Sequence, residues 1–258
     1  GLIHLKRGEI AAGIGALEHA LEANPANPDA TLTLASAYVS SREIAKAEAL
    51  LSRAQLPNSP QQQLVRGALL HARGDYKGAA QAFSESLARR PGLPTAHSQL
   101  GLAFMMLGEH SRAAAQFNAE LDQNPGDYAA NANLGLLYLQ DKKYADARAL
   151  LDKAREVRPG DPGLMYLLAQ VRSAEGQHQL AAEALEQVVE GRPGFIPAHV
   201  LLARTYARLK RTEESRRVQA TIRRLTDEEQ KRNLQGTAVY SGQTSTAEPA
   251  HAGAEVTQ

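Results

Sequence analysis

Apolar residues run along this chain in pairs of stripes at helical spacing, and each pair is closed by a proline. Prolines stand at Pro25, Pro57, Pro91, Pro125, Pro159 and Pro193; the last five are 34 residues apart and the first gap is 32. In that register one column reads Ala35, Gly67, Gly101, Gly135, Ala169, Ala203. Three residues on, a larger column reads Tyr38, Leu70, Phe104, Tyr138, Arg172, Tyr206. Twelve after the first comes Ala47, Ala79, Ala113, Ala147, Ala181, Ser215, and four further on Leu51, Phe83, Phe117, Leu151, Leu185, Gln219. Breaks such as Arg73-Gly74-Asp75 and Leu107-Gly108-Glu109 separate the two stripes of a block.

The columns predict pairs of antiparallel helices of about 12–14 residues, roughly 20 Å long. Small residues let the two helices approach, larger ones fill the seam, and the proline stops the second helix because it cannot donate to the helical ladder. Small and large positions, block length and closing Pro together resemble the tetratricopeptide repeat. The likeness is carried by Gln99-Leu100-Gly101, Phe104, Ala113, Phe117 and Pro125, by Gly74-Asp75-Tyr76 with Ala79 and Phe83, and by Tyr144, Ala147, Leu151 and Pro159. It covers about residues 1–225. The resemblance implies an all-α, right-handed α-solenoid of helix–turn–helix repeats, about six full ones after a truncated first. The Trp favoured by that family near the start of the first helix is missing; the column reads Thr31, Gln63, His97, Asn131, Met165, His199, which predicts a lighter seam.

At the N-terminal end Gly1 falls midway through a first helix, with Gly8, Gly13, Leu17, Ala20 and Pro25 completing the block. A half-helix leaves the neighbour-facing side of a solenoid open, so repeats or a further domain are expected upstream. At the other end Val218, Ile222 and Leu225 share one helical face opposite Arg216, Arg217, Arg223, Arg224 and Lys231. Thr226-Asp227-Glu228-Glu229 has the form of a capping box, predicting a short capping helix over 226–234. From Gln235 to Gln258, Gly, Ser, Thr, Ala and Gln predict a flexible tail.

Composition narrows the function classes. Lys plus Arg is 29 against 28 for Asp plus Glu, a net charge of +1, which argues against nucleic-acid binding through bulk charge. Between Arg204 and Arg232 ten basic and five acidic residues give a local net of +5. The supporting pairs predicted there are Glu213–Arg217, Asp227–Lys231 and Glu228–Arg232. Beyond Tyr206 no aromatic residue interleaves for base stacking, so a solvated helix is the favoured reading and no nucleic-acid partner is expected. The chain has no cysteine, which excludes disulfides, thiolate metal sites and cysteine nucleophiles. No run suits a membrane span. The eight histidines lack metal-ligand spacing; His110 and His178 share a column with Tyr76 and Tyr144, so they are expected to fill the seam. Gly13-Ile14-Gly15 lies within a helical stripe and is no phosphate loop. No catalytic signature is present, and neither an enzyme nor a cofactor is expected.

One stripe of the first helices stays outside the seam: Leu32, Ser36, Val39; Leu64, Ala68, His71; Ser98, Leu102, Met105; Ala132, Leu136, Leu139; Tyr166, Gln170, Ser173; Val200, Arg204, Ala207. In the resembled family this stripe lines the inner groove. It is uncharged until Arg204 and its middle is aliphatic, with the adaptable Met105. An apolar strip of this kind marks an interaction surface; the competing reading is that part of it touches the next repeat. The Lys/Asn/Arg clamp by which some family members hold acidic chain ends is absent, since those columns carry Leu64, Ser98, Ala132 and Thr95, Gln99, Ala129. The groove is therefore expected to take an amphipathic helix or an apolar segment of another protein. The alternatives are a module of a larger protein or an exported envelope-assembly factor, which leaves a cytoplasmic and a periplasmic or exported location both open for a soluble chain. The Arg-over-Lys bias has a bacterial look.

Overall fold

The computed structural model describes residues 9–243 along the backbone and 9–232 in their side chains. Among the described residues every regular element is a helix: α1 (Ile10–Ala23), α2 (Pro28–Ser40), α3 (Ile44–Arg53), α4 (Pro60–Ala72), α5 (Tyr76–Arg89), α6 (Ala96–Met106), α7 (His110–Gln123), α8 (Tyr128–Gln140), α9 (Tyr144–Val157), α10 (Pro162–Ala174), α11 (His178–Gly191), α12 (Ile196–Arg208) and α13 (Thr212–Gln243). Two compact units divide the chain, Gly1–Leu164 and Met165–Gln258, the division falling within α10. The predicted half-helix before α1, at 1–8, lies outside the described residues.

In the first unit each even-numbered helix pairs with the odd-numbered one after it, and first helices also touch one another, α2 on α4, α4 on α6 and α6 on α8. The small columns explain the closeness of the pairs. A Cβ added to Gly67 would lie 2.5 Å from the Phe83 ring, one at Gly101 2.6 Å from Phe117 and one at Gly135 2.8 Å from Leu151. Ala47, Ala79, Ala113 and Ala147 have no exposed surface, nor do Phe83, Phe117 and Leu151. The seam is thus a lock of ring or branched side chain against bare backbone, where packing is dense enough for one methyl to matter.

Among the described residues every turn within a hairpin has one geometry. Gly74 and Gly108 in the first unit, and Gly176 in the second, adopt positive φ; so do Arg42, Lys142 and Lys210 in the same column. The residue after each donates its N–H back to the large column: Glu43 to Tyr38, Asp75 to Leu70, Glu109 to Phe104, Lys143 to Tyr138, Gln177 to Arg172 and Arg211 to Tyr206. This is the left-handed helix end that satisfies the last orphan carbonyls. Cations then sit on several of those large rings: Lys46 over Tyr38, Arg112 over Phe104, Lys143 over Tyr138 and Arg211 over Tyr206.

Four of the first helices start on side-chain caps. Asn27, Ser59, Asp127 and Asp161 accept from the N–H three residues on. In the third hairpin that column holds Leu93, buried and unable to cap, and α6 begins only at Ala96, after Thr95 at φ 65°. Glu120 of α7 supplies the missing acceptor, taking the N–H of Thr95 at 3.2 Å and that of Ser98 at 3.3 Å.

The column that lacks Trp is not merely lighter. Thr31, Gln63, Asn131 and His199 are buried, and most fasten the loop before their helix. Asn131 donates to the carbonyls of Pro125 and Asp127, and His199 Nε2 lies 2.8 Å from the carbonyl of Pro193. Polar side chains short enough to turn back on the chain replace the bulk of an indole with hydrogen bonds. His110, expected in the seam, is exposed at the first position of α7; its neighbour Ala113, one turn on, fills the contact instead.

In the second unit Ala169, Ala182, Leu185, Val188, Ala198, Leu202 and Tyr206 form one core. Ser215 replaces the small Ala and donates to the carbonyl of Ala203 at 2.9 Å. The separate capping helix expected over 226–234 does not form. Helix α13 runs unbroken from Thr212 to Gln243. Thr226 Oγ1 donates to the carbonyl of Ile222, one turn back inside the helix, and Arg224 pairs with Glu228 across the expected boundary at 2.8 Å. No Gly or Pro interrupts the chain between Thr212 and Gln235, so nothing stops propagation. Residues 235–243 of the expected tail belong to this helix, and 244–258 lie outside the described residues.

Candidate functional site

The stripe left out of the seam lies on the first helices. In the first unit Leu64, Ala68 and His71 on α4, Leu102 and Met105 on α6, and Ala132, Leu136 and Leu139 on α8 are all half-buried. Leu64, Ala68, Leu102 and Met105 pack by one side against the core beneath, which leaves the other side at the surface. Hydrophobic side chains in this state are held in fixed positions by the core yet present area to a partner.

Ser98 does not belong with them. It is 1% exposed; its N–H is taken by Glu120, and its hydroxyl donates to Asp127 Oδ1 at 2.9 Å. A hydroxyl in the first turn of a helix, beside the next hairpin's cap, serves the scaffold. Leu32 at the same height on α2 is likewise buried.

Two cavities open on this surface. One of about 400 Å³ is bounded by Leu32, Ser36, Leu64 and Val65, with Ile10 of α1 at its rim. The other, of about 760 Å³, is bounded by Ser36, Val39, Ala68 and His71, and reaches Gln99 of α6. Burial pushes His71 below the ordinary imidazole pKa, so its ring is neutral near pH 7. It meets Tyr76 edge to face at 5.2 Å. Sequence reasoning placed Ser36, Val39, Ala68 and His71 together. It missed Arg42 and Tyr76, which come from the turn and the second helix and carry no periodic signal of binding.

In the second unit Tyr166 and Gln170 are half-buried and Arg204 is exposed. Tyr166 stands edge-on to Phe195 at 5.1 Å. Its hydroxyl is shifted up by burial, against a smaller opposite pull from Arg204. The guanidinium is thus close enough to sense the phenol. The basic face of α13 is partly neutralised from within: Arg216 pairs with Glu213 at 2.9 Å and Arg224 with Glu228. These differ from the pairs expected there: Glu213 closes on Arg216 rather than on the adjacent Arg217, and Glu228 on Arg224 rather than on Arg232 one turn the other way.

Among the described residues no group of three or more His, Asp or Glu is placed to hold a metal ion. No described helix is long and apolar enough to cross a membrane.

A family model described as tetratricopeptide repeat matches residues 4–69 and 173–236, and a second with the same description matches 98–162. No curated protein matches the chain. Solved structures do. A MamA chain from Desulfovibrio magneticus RS-1, starting at its residue 41, is 22% identical with a TM-score of 0.61, over 67% of this chain and 97% of that one. The APC/C hetero-tetramer Cut9-Hcn1 contains a chain that is 18% identical with a TM-score of 0.65, over 83% of this chain and 43% of that one. At such identities the likeness is one of fold.

Proposed function

We propose that this chain, which belongs to the tetratricopeptide-repeat family, is a non-catalytic protein-interaction scaffold that holds an amphipathic helix or an apolar segment of another protein on its first helices. The observation that carries this reading is the row of half-buried side chains Leu64, Leu102, Met105, Leu136 and Leu139, of which Leu64, Leu102 and Met105 pack against the core below. Family membership supports the scaffold role, and Cut9-Hcn1 is a repeat structure solved within a hetero-tetramer. A row of this chemistry offers area and shape but no acid, base or nucleophile, so it suits recognition. Tyr166, Gln170 and Arg204 extend the same columns in the second unit.

The test is the double substitution Leu102→Glu with Leu136→Glu. Both side chains have an open side, so the carboxylates can reach water and the helices persist by circular dichroism. Affinity capture from the source organism, followed by mass spectrometry, then loses the proteins that the unaltered chain retains. Undiminished capture by the folded double variant overturns the reading.

A further inference from the structure

The two cavities of the first unit adjoin, since Ser36 and Ser40 line both. Their chemistry differs. Ile10, Leu32, Leu64 and Val65 make the smaller one apolar. The larger collects polar groups from three hairpins: Arg42 from the α2–α3 turn, His71 and Tyr76 from α4 and α5, and Gln99 from α6. The Arg42 guanidinium, the Tyr76 hydroxyl and the Gln99 carboxamide make no hydrogen bond or ion pair to the described protein, and His71 Nε2 is buried without a partner. No Asp or Glu is among the residues lining either cavity.

Arg42 is also held where glycine is at ease, at φ 62° in the column of Gly74, Gly108 and Gly176. A cation there is favoured by the carboxyl end of α2, yet its charge is answered by no side chain. Convergent unused donors around a single unpaired cation suit an acceptor that carries negative charge.

We propose that the paired cavities bind an extended internal segment of a partner polypeptide, with an aliphatic side chain in the smaller and a nearby Glu or Asp carboxylate in the larger. The carboxylate accepts from Arg42 and Gln99, and the Tyr76 hydroxyl is the further donor within the cavity. The apolar cavity adjoins the polar one, so neighbouring residues of one segment can fill both, the anion being a side chain. This deepens, and rests on, the reading of the first helices as a peptide-binding surface.

The test uses three tripeptide probes on the isotope-labelled full chain, followed by NMR: acetyl-Leu-Glu-Leu-amide, acetyl-Leu-Gln-Leu-amide, and acetyl-Leu-Gln-Leu with a free terminal carboxylate. The Glu peptide shifts the Arg42 Nε–H and His71 ring signals saturably and binds about five-fold more tightly than the Gln amide, the size of a partly exposed ion pair. Arg42→Gly abolishes that preference. It leaves the fold intact, because glycine adopts the positive φ without strain. Equal affinity for the Glu and Gln amides, a preference that survives Arg42→Gly, a free-acid peptide that binds as well as the Glu peptide, or no saturable shift with any probe each overturn the proposal. Leu102 and Leu136 line neither cavity. Partner capture by their double variant therefore reports on the groove separately, so failure of this proposal is distinguishable from failure of that reading.

Discussion

Glu120 Oε2 accepts a hydrogen bond from the backbone N–H of Ser98 at 3.3 Å across 22 residues of chain, and Oε1 takes the N–H of Thr95. One carboxylate on the second helix of a hairpin thereby does the work that Asn27, Ser59, Asp127 and Asp161 do locally for their own first helices. Glu120 is 4% exposed and Ser98 1%, so the Ser98 N–H has no water to turn to once the carboxylate is gone. Glu120→Ala lowers stability by about 1–2 kcal/mol, and Glu120→Gln by less, since an amide oxygen can still accept. Urea unfolding measures both. Faster hydrogen exchange at Thr95 and Ser98, with exchange at Ala130 unchanged, assigns the loss to this cap.

Two glycines on helices respond in opposite directions to the same methyl group. At Gly101 the added Cβ would press into Phe117 at 2.6 Å, whereas at Gly15 it would meet nothing within 4 Å. Gly101→Ala destabilises by about 1–3 kcal/mol through overpacking. Gly15→Ala stabilises by about 0.5–1 kcal/mol because alanine loses less backbone freedom in a helix. Thermal melts of the two variants beside the parent check the pair, and a shift of the same sign in both would refute the seam geometry.

The turn column gives a second pair of opposed changes. Lys142 sits at φ 62° and Gly108 at φ 75°. Lys142→Gly relieves a side chain from the left-handed region and raises stability by up to about 1 kcal/mol, less the helix-end attraction of the lost ammonium. Gly108→Ala imposes the strain and lowers stability by about 1 kcal/mol. Chemical denaturation of both variants reads the difference.

Two tyrosines titrate late. Burial is the largest cause, followed by hydrogen bonds to Glu18 and Glu186, and it pushes Tyr38 and Tyr206 up to about 12 from an ordinary 10. Between pH 10 and 12 the unfolded chain has released these protons while the folded chain keeps them. Stability is therefore whole below pH 10 and falls as pH rises towards 12. Absorbance near 295 nm shows the late ionisation, and Tyr38→Phe and Tyr206→Phe each remove one late phenol and flatten the alkaline loss of stability.

His71 works on the acid side. Its folded pKa lies below the unfolded one because burial disfavours the charged ring. The contribution to stability is present above the unfolded value near 6.5 and is lost as pH falls through the folded one. His71→Gln makes stability less sensitive to acid between pH 7 and 5, measured by urea midpoints at each pH.

The sequence by itself determined the helices, their pairing and the seam. Glycine and alanine at 34-residue intervals against Phe83, Phe117 and Leu151 are a local code, since each hairpin is built from residues close in the chain and repeats the same spacing. The turn glycines were legible for the same reason; Arg42, Lys142 and Lys210 in that column were not, because a basic residue gives no sign of positive φ until the hairpin closes on it. The tertiary structure decided the rest. It withdrew Ser98 from the surface by bringing Glu120 and Asp127 to it. It carried α13 through Thr226, where a local capping signal lost to continued helical hydrogen bonding. It also gathered Arg42, His71, Tyr76 and Gln99 around one cavity. Periodicity reports which face of a helix is apolar; which polar groups from different hairpins converge depends on distances that only the packed helices set.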